Sequence, residues 1–248
     1  MKFIIITILF DDWKIHLYNN DKCICIKETD INDYISDEFK IIPICVNDYI
    51  KYNNFKNNIF KNELKNIEIL NNKSKFGKFM LKSFPNNIPI IYYYNFENET
   101  YKNNIILSTK MIQKPNENFG SNGIKIINKL ENNIKNHIIQ KYIDHTENFV
   151  GHFIILNGII HQKIYFYAQS MNKILRGTIC NYKITKNLKI SDIIFEKIFN
   201  NLNYSGFACI DFIINNKNII IFEINPRPGG SLIKNKLYFN LFLDKLII

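Results

Sequence analysis

The chain has 248 residues, 46% of them apolar, and a formal charge of +10; it can bury one large or two modest cores, which excludes a disordered chain. Its lysines run along the whole sequence with no dense basic run interleaved with aromatics, so an anionic nucleotide or plain solvation explains the charge better than nucleic acid. The five cysteines, Cys23, Cys25, Cys45, Cys180 and Cys209, lack CxxC spacing and sit mostly in apolar runs, as buried thiols of a reducing, cytoplasmic compartment do.

Met1 to Phe10 is apolar but short, lacks a small-residue cleavage site and meets Asp11-Asp12 at once, so it predicts a buried strand over 3–10 and no signal peptide. No stretch has the length of a membrane span. Short strands follow at 23–27 and 41–46, then a helical or loop stretch near 47–65. Asparagine is heavily used and paired (Asn53-Asn54, Asn57-Asn58, Asn71-Asn72, Asn132-Asn133) between periodic segments, a pattern of AT-rich coding more than of a prion-like role.

Residues 70–83, Leu70-Asn-Asn-Lys73-Ser-Lys75-Phe76 and onward, read as a helix, and Phe84 to Pro89 turns the chain into a strand at 90–94. An apolar strand then ends in Lys114, and Gly120-Ser121-Asn122-Gly123 offers backbone N–H groups under little steric cover, a combination suited to phosphate. Standing alone, Gly-x-x-Gly after a strand is a turn, and neither a Walker A pattern nor Gly-x-Gly-x-x-Gly occurs. A short helix is expected near 124–134. Ile138 to Ile143 reads as a strand with a polar end, and strands at 149–156 and 159–168 flank the hairpin turn Asn157-Gly158. A helix is expected at 191–202.

The segment Ser205 to Ser231 carries the most chemistry. Two apolar strands joined through Asn215-Asn-Lys-Asn218 each hold one carboxylate, Asp211 and Glu223, a costly placement unless a cation or hydrogen bonds compensate. Glu223, Asn225 and Arg227 share a face by strand alternation. A regular hairpin with a two-residue loop at Asn216-Lys217 would pair Asp211 with Phe222 and put Glu223 on the other face. A shared metal site therefore requires a three-residue loop or a β-bulge between 212 and 222. With it, two carboxylates and an amide oxygen form the hard donor set that suits Mg²⁺. Without it, the segment is an edge hairpin with solvated acids.

The run Glu223-Ile-Asn225-Pro-Arg227-Pro-Gly-Gly-Ser231, with Asp211 twelve residues upstream, resembles the metal-binding end of the ATP-grasp superfamily, in particular its carbamoyl-phosphate synthase and biotin carboxylase branch. Four segments stand in that family's order over roughly residues 70 to 232: an entry helix with a lysine, a lysine strand with a glycine flap, an adenine hinge and the metal hairpin. The resemblance implies an α+β ATP-grasp fold of two subdomains with antiparallel sheets behind a small α/β N-terminal domain. The expected division is 1–68 and 69–248, with the flap and hinge at about 105–168.

By the same resemblance, Asp211, Glu223 and Asn225 would hold Mg²⁺, or Mn²⁺ in its place. Lys73, with Lys75 as its neighbouring rival, and Lys114 would meet phosphates, and Gly120, Ser121 and Gly123 would cover them. Lys141 and Ile143 would read adenine through their backbone; Gln140, where the family often has an acid, adjoins them, and Glu147 would take the ribose. Arg227 would act with Lys114 on the transferring phosphoryl group, with Arg176 and Lys163 as weaker candidates. The implied activity is an ADP-forming ligase that activates a small carboxylate as an acylphosphate for attack by an amine or similar nucleophile. A kinase-like member and a non-catalytic binding module on a decayed scaffold are the other readings.

Overall fold

Three parallel strands open the chain: β1 (Lys2–Ile6) lies between β2 (Cys23–Ile26) and β3 (Phe39–Pro43). Parallel neighbours cannot be joined by a tight hairpin, and helix α1 (Asp11–Tyr18) makes the first crossover. The sequence reading assigned no helix there. The computed structural model describes residues 2–6, 11–18, 20–26, 39–103, 110–117, 122–130, 134–145, 147–169, 183–185, 188 and 192–246; residues 7–10 of the expected first strand and Cys180 lie outside them.

Helix α2 (Val46–Tyr52) follows, and the helix expected at 70–83 is two elements, α3 (Leu64–Asn71) and α4 (Lys73–Ser83). Asn72 separates them with φ −98° and ψ 116°. Its side-chain oxygen accepts from Ser74 N and Lys75 N, both at 3.1 Å, a helix N-cap that satisfies two donors left without intrahelical partners. Lys73 thus becomes the first residue of α4.

The second sheet is antiparallel, in the order β5-β4-β8-β6-β7. Its strands are β4 (Ile91–Phe96), β5 (Glu99–Lys102), β6 (Met111–Pro115), β7 (Lys125–Ile127) and β8 (His137–Lys141). The helix expected near 124–134 is corrected by β7, whose Ile127 pairs with Met111 and Lys125 with Gln113. Ile124, Ile127, Leu130 and Ile134 mimic helical spacing, but the open edge of β6 supplies backbone partners that decide the conformation. Helix α4 lies close on this sheet: a Cβ added at Gly77 would stand 2.7 Å from Ile138 Cδ1.

The third sheet runs β11-β10-β9-β12-β13. It comprises β9 (Glu147–Leu156), β10 (Ile159–Gln169), β11 (Lys183–Ile184), β12 (Gly206–Asn215) and β13 (Asn218–Asn225). Asn157 and Gly158 join β9 to β10 with φ of 51° and 79°, as a type I′ turn requires. The strand carrying Lys114 and the 138–141 segment therefore belong to one sheet, and residues 149–155 of β9 pair with the hairpin that carries Asp211 and Glu223. Helices α5 (Ile193–Leu202), α6 (Gly230–Ile233) and α7 (Lys236–Asp244) complete the fold. One apolar core reaches from Trp13 and Ile42 through Phe76, Phe153 and Phe207 to Leu243. Among the described residues no helix is long and apolar enough to cross a membrane.

Candidate active site

The hairpin β12–β13 turns at Asn216 and Lys217, both with positive φ (48° and 68°), so its loop has two residues. The register nevertheless pairs Asp211 with Glu223 and Phe212 with Ile221, leaving Phe222 as the extra residue of a β-bulge. This is the irregularity that parity demands for the two acids to share a face. Asn225 pairs with Cys209 on the same face.

Four basic or polar side chains converge on these acids. Lys73 Nζ stands 3.4 Å from Glu223 Oε2, and Asn225 Nδ2 donates to Glu223 Oε1 at 3.1 Å. Arg227 reaches back from the following loop, donating from one terminal nitrogen to Asn225 Oδ1 at 3.3 Å and from the other to Pro228 O at 3.3 Å. Lys114, on β6 of the facing sheet, is only 5% exposed. Burial pulls its pKa down to about 8, although Glu223 and Asp211 oppose the fall. Lys75 pairs instead with Glu68 (2.9 Å) and Glu97 (3.0 Å).

Asp211 and Glu223 stand directly opposite one another on neighbouring strands. Burial, then the Glu223 carboxylate, holds Asp211 well above the usual carboxylate range. Burial works against ionisation of Glu223 too, but Lys73 and Lys114 together with hydrogen bonds from Asn225 and Asp211 outweigh it and hold Glu223 low. Among the described residues no group of three or more His, Cys, Asp or Glu side chains is gathered for a metal; the candidate set is two carboxylates and an amide.

A network of amides holds the two lysine-bearing elements in register. Lys73 N donates to Asn116 O at 2.9 Å, Asn116 N to Asn136 O at 2.9 Å, and Asn116 Nδ2 to Asn95 O at 2.7 Å. Ser74 Oγ donates to Asn116 Oδ1, and Asn72 Nδ2 to Glu117 Oε1 at 3.1 Å. The asparagines that composition assigned to coding bias therefore clamp the start of α4 to the end of β6.

The expected hinge begins on β8, an inner strand of the second sheet between β4 and β6. Gln140 and Lys114 lie on one face of the second sheet, opposite Ile112 and Ile138 respectively. Gln140 is 2% exposed, with its Oε1 buried and unpartnered among the described residues. Lys141 N donates to Ile90 O at 2.7 Å and Tyr142 N to Lys110 O at 3.1 Å, after which residues 142–145 leave the ladder. Glu147 is exposed at the start of β9 and pairs with Gln169. Gly123 occupies a turn at φ 73°, whereas Gly120, Ser121 and Arg176 lie outside the described residues. Lys163 is ion-paired with Asp192 and so is occupied elsewhere.

Comparison with known families decides the assignment: the model of the ATP-grasp domain matches residues 70–231, well over half of the chain. The chain belongs to the ATP-grasp family. Curated protein sequences give no match. Among solved structures, D-alanine–D-alanine ligase from Bacillus anthracis is similar with TM-score 0.65 at 14% identity, over 100% of this chain and 95% of that one. Phosphoribosylamine–glycine ligase from Thermotoga maritima gives 0.65 at 10% identity, over 97% and 72%. L-amino acid ligase from Bacillus licheniformis gives 0.61 at 12%, over 93% and 68%. At such identities the likeness is one of fold, and the two antiparallel sheets are those of the ATP-grasp fold.

Three residues at this site escaped the sequence reading. Phe222, the bulge residue, places its ring 5.4 Å from Lys114 Nζ and 5.2 Å from the His145 ring. Trp13, from the unassigned α1, lies 5.6 Å from the Arg227 guanidinium. His152 is fully buried and takes Ser231 Oγ at 2.8 Å. The parity argument named Phe222 only as the partner that a regular hairpin would give Asp211.

Proposed function

We propose that the chain is an ATP- and Mg²⁺-dependent, ADP-forming ligase that activates a small carboxylate as an acylphosphate for attack by an amine or similar nucleophile. The observation that carries this reading is the pairing of Asp211 with Glu223 across the bulge, with Lys73 3.4 Å from Glu223. Two carboxyls that face one another on one sheet face fit a divalent cation, which would relieve the repulsion between their charges; Asn225 would add an amide oxygen on turning from Arg227. When bound, Mg²⁺ supplies charge neutralisation for the β- and γ-phosphate oxygens. Lys73 and Lys114 hold the phosphates from two sides, and burial of Lys114 in a dry site strengthens its pull on them.

Arg227 stands one turn of chain beyond, where it orients the acid and offsets charge on the acylphosphate. Phe222 gives the purine a flat apolar wall, and the buried Gln140 Oε1 gives its amino group an acceptor, beside the backbone of Lys141 and Ile143. Glu147 reaches the ribose, and the glycine segment 120–123 covers the phosphates against water, which would hydrolyse an acylphosphate. ADP release from Mg·ATP that requires a carboxylate and an amine together tests the reading; release driven by an alcohol alone would favour the kinase-like alternative.

A further inference from the structure

His152 and Ser231 meet although 79 residues separate them. His152 stands opposite Cys209 on β12, on the sheet face that also carries Asp211 and Glu223. The loop after Arg227 presses on its ring: a Cβ at Gly229 would lie 2.6 Å from both His152 Cε1 and Cys209 Sγ. The ring's surroundings are thus the site's own backbone.

Burial first, then the Arg227 guanidinium, pushes the His152 pKa down to about 3, so the ring carries one proton at neutral pH. Its Nδ1 is buried without a hydrogen-bond partner among the described residues. A proton there would be a buried orphan donor, rarer and costlier than an orphan acceptor. The ring proton therefore belongs on Nε2, which donates to Ser231 Oγ. Ser231, half-buried, keeps its own hydroxyl proton with no acceptor among the described residues. Arg227 stands near the His152 ring with its guanidinium over the Trp13 ring, and the Trp13 indole nitrogen would lie 3.5 Å from a Cβ at Gly230. Lys73 and Lys114 gather at Glu223, whereas Ser231 meets His152 beside Arg227.

We propose that Ser231 donates its hydroxyl proton to the carboxylate of the acid substrate beside Arg227, and that His152 is the positioning residue that fixes Ser231 as a donor. The assignment rests on the ligase reading above. Two measurements on the full chain test it. Nitrogen-15 spectra of the histidine rings, with His152 assigned by loss of its signal in His152→Gln, should place its single proton on Nε2 throughout the neutral pH range. Calorimetry of protein loaded with Mg·AMPPNP against a panel of small carboxylic and amino acids should find an acid that binds. Ser231→Ala and His152→Leu should weaken that acid about tenfold, the loss expected for one hydrogen bond to a charged group. Nucleotide affinity should stay unchanged, and His152→Gln, whose amide N–H can reach Ser231, should restore most of the acid affinity. A ring proton on Nδ1, no acid bound by the wild type, or an acid affinity indifferent to Ser231→Ala overturns the proposal. Weaker nucleotide binding in Ser231→Ala would move the contact to phosphate and overturn it equally. If the wild type fails to bind Mg·AMPPNP, the ligase reading is contradicted instead, and the ring-proton position alone decides the role of His152.

Discussion

Asp211 faces Glu223 across a hairpin whose two-residue loop would otherwise set Asp211 against Phe222. One extra residue on β13 therefore does two things. It brings both carboxyls to one face, and it pushes the Phe222 ring out between Lys114 and His145.

The bulge ring is expected to matter to nucleotide binding and little to folding. Phe222→Ala should weaken Mg·ATP by about tenfold, the scale of one aromatic contact with its neighbouring cation. Titration calorimetry reads the change, and an unaltered dissociation constant would remove Phe222 from the base site.

Lys114→Met and Glu223→Gln each delete a charge at the cleft while keeping most of the side-chain volume. Both variants should retain wild-type circular dichroism yet lose about a hundredfold or more in ATP turnover, as loss of a charge-stabilising group does. Turnover at the wild-type level in either would show that the site is misplaced.

The two lysines at the start of α4 separate cleanly. Lys73→Ala should raise the KM for ATP, because its ammonium sits 3.4 Å from Glu223. Lys75→Ala removes ion pairs to Glu68 and Glu97 at the surface and should change stability by less than about 1 kcal/mol, with kinetics unchanged. Equal kinetic effects of the two substitutions would contradict the assignment.

A pH dependence comes from outside the site. Asp48 is fully buried in α2, and burial raises its pKa to about 7 although Ile44 N and Cys45 N donate to it at 3.2 and 3.0 Å. The folded chain thus holds a proton that the unfolded chain releases near the ordinary carboxylate value of 3.8. The stabilisation is complete below the unfolded pKa and is lost as pH rises toward 7, a few kcal/mol at about 1.4 per unit. Asp48→Asn should flatten this slope and raise stability at alkaline pH. Denaturant midpoints of the two proteins measured across the range check it, and parallel curves would refute it.

Much of this architecture was legible because its signals are local. Asn157-Gly158 announced its hairpin, and the even, twelve-residue separation of Asp211 and Glu223 required a three-residue loop or a bulge if the two acids were to share a face. The misreadings come from partners that the local sequence does not contain. Residues 124–134 carry helical spacing, yet Lys125–Ile127 finds its backbone partners on β6. The polar α1 is demanded only by the parallel pairing of β1 with β2, and it brings Trp13 to Arg227. Asn72, Asn95, Asn116 and Asn136 look like compositional noise until folding joins them. His152 gave no signal at all, since Ser231 is remote in sequence.

Thermal unfolding with ATP in the presence of Mg²⁺ or of a chelator tests the central assignment most directly. Stabilisation by Mg·ATP should reach about 2.7 kcal/mol at a hundredfold excess over the dissociation constant. The chelated nucleotide should give much less, because two carboxylates such as Asp211 and Glu223 repel phosphates unless a cation stands between them. An equal shift with and without metal, or none at millimolar nucleotide, would contradict it.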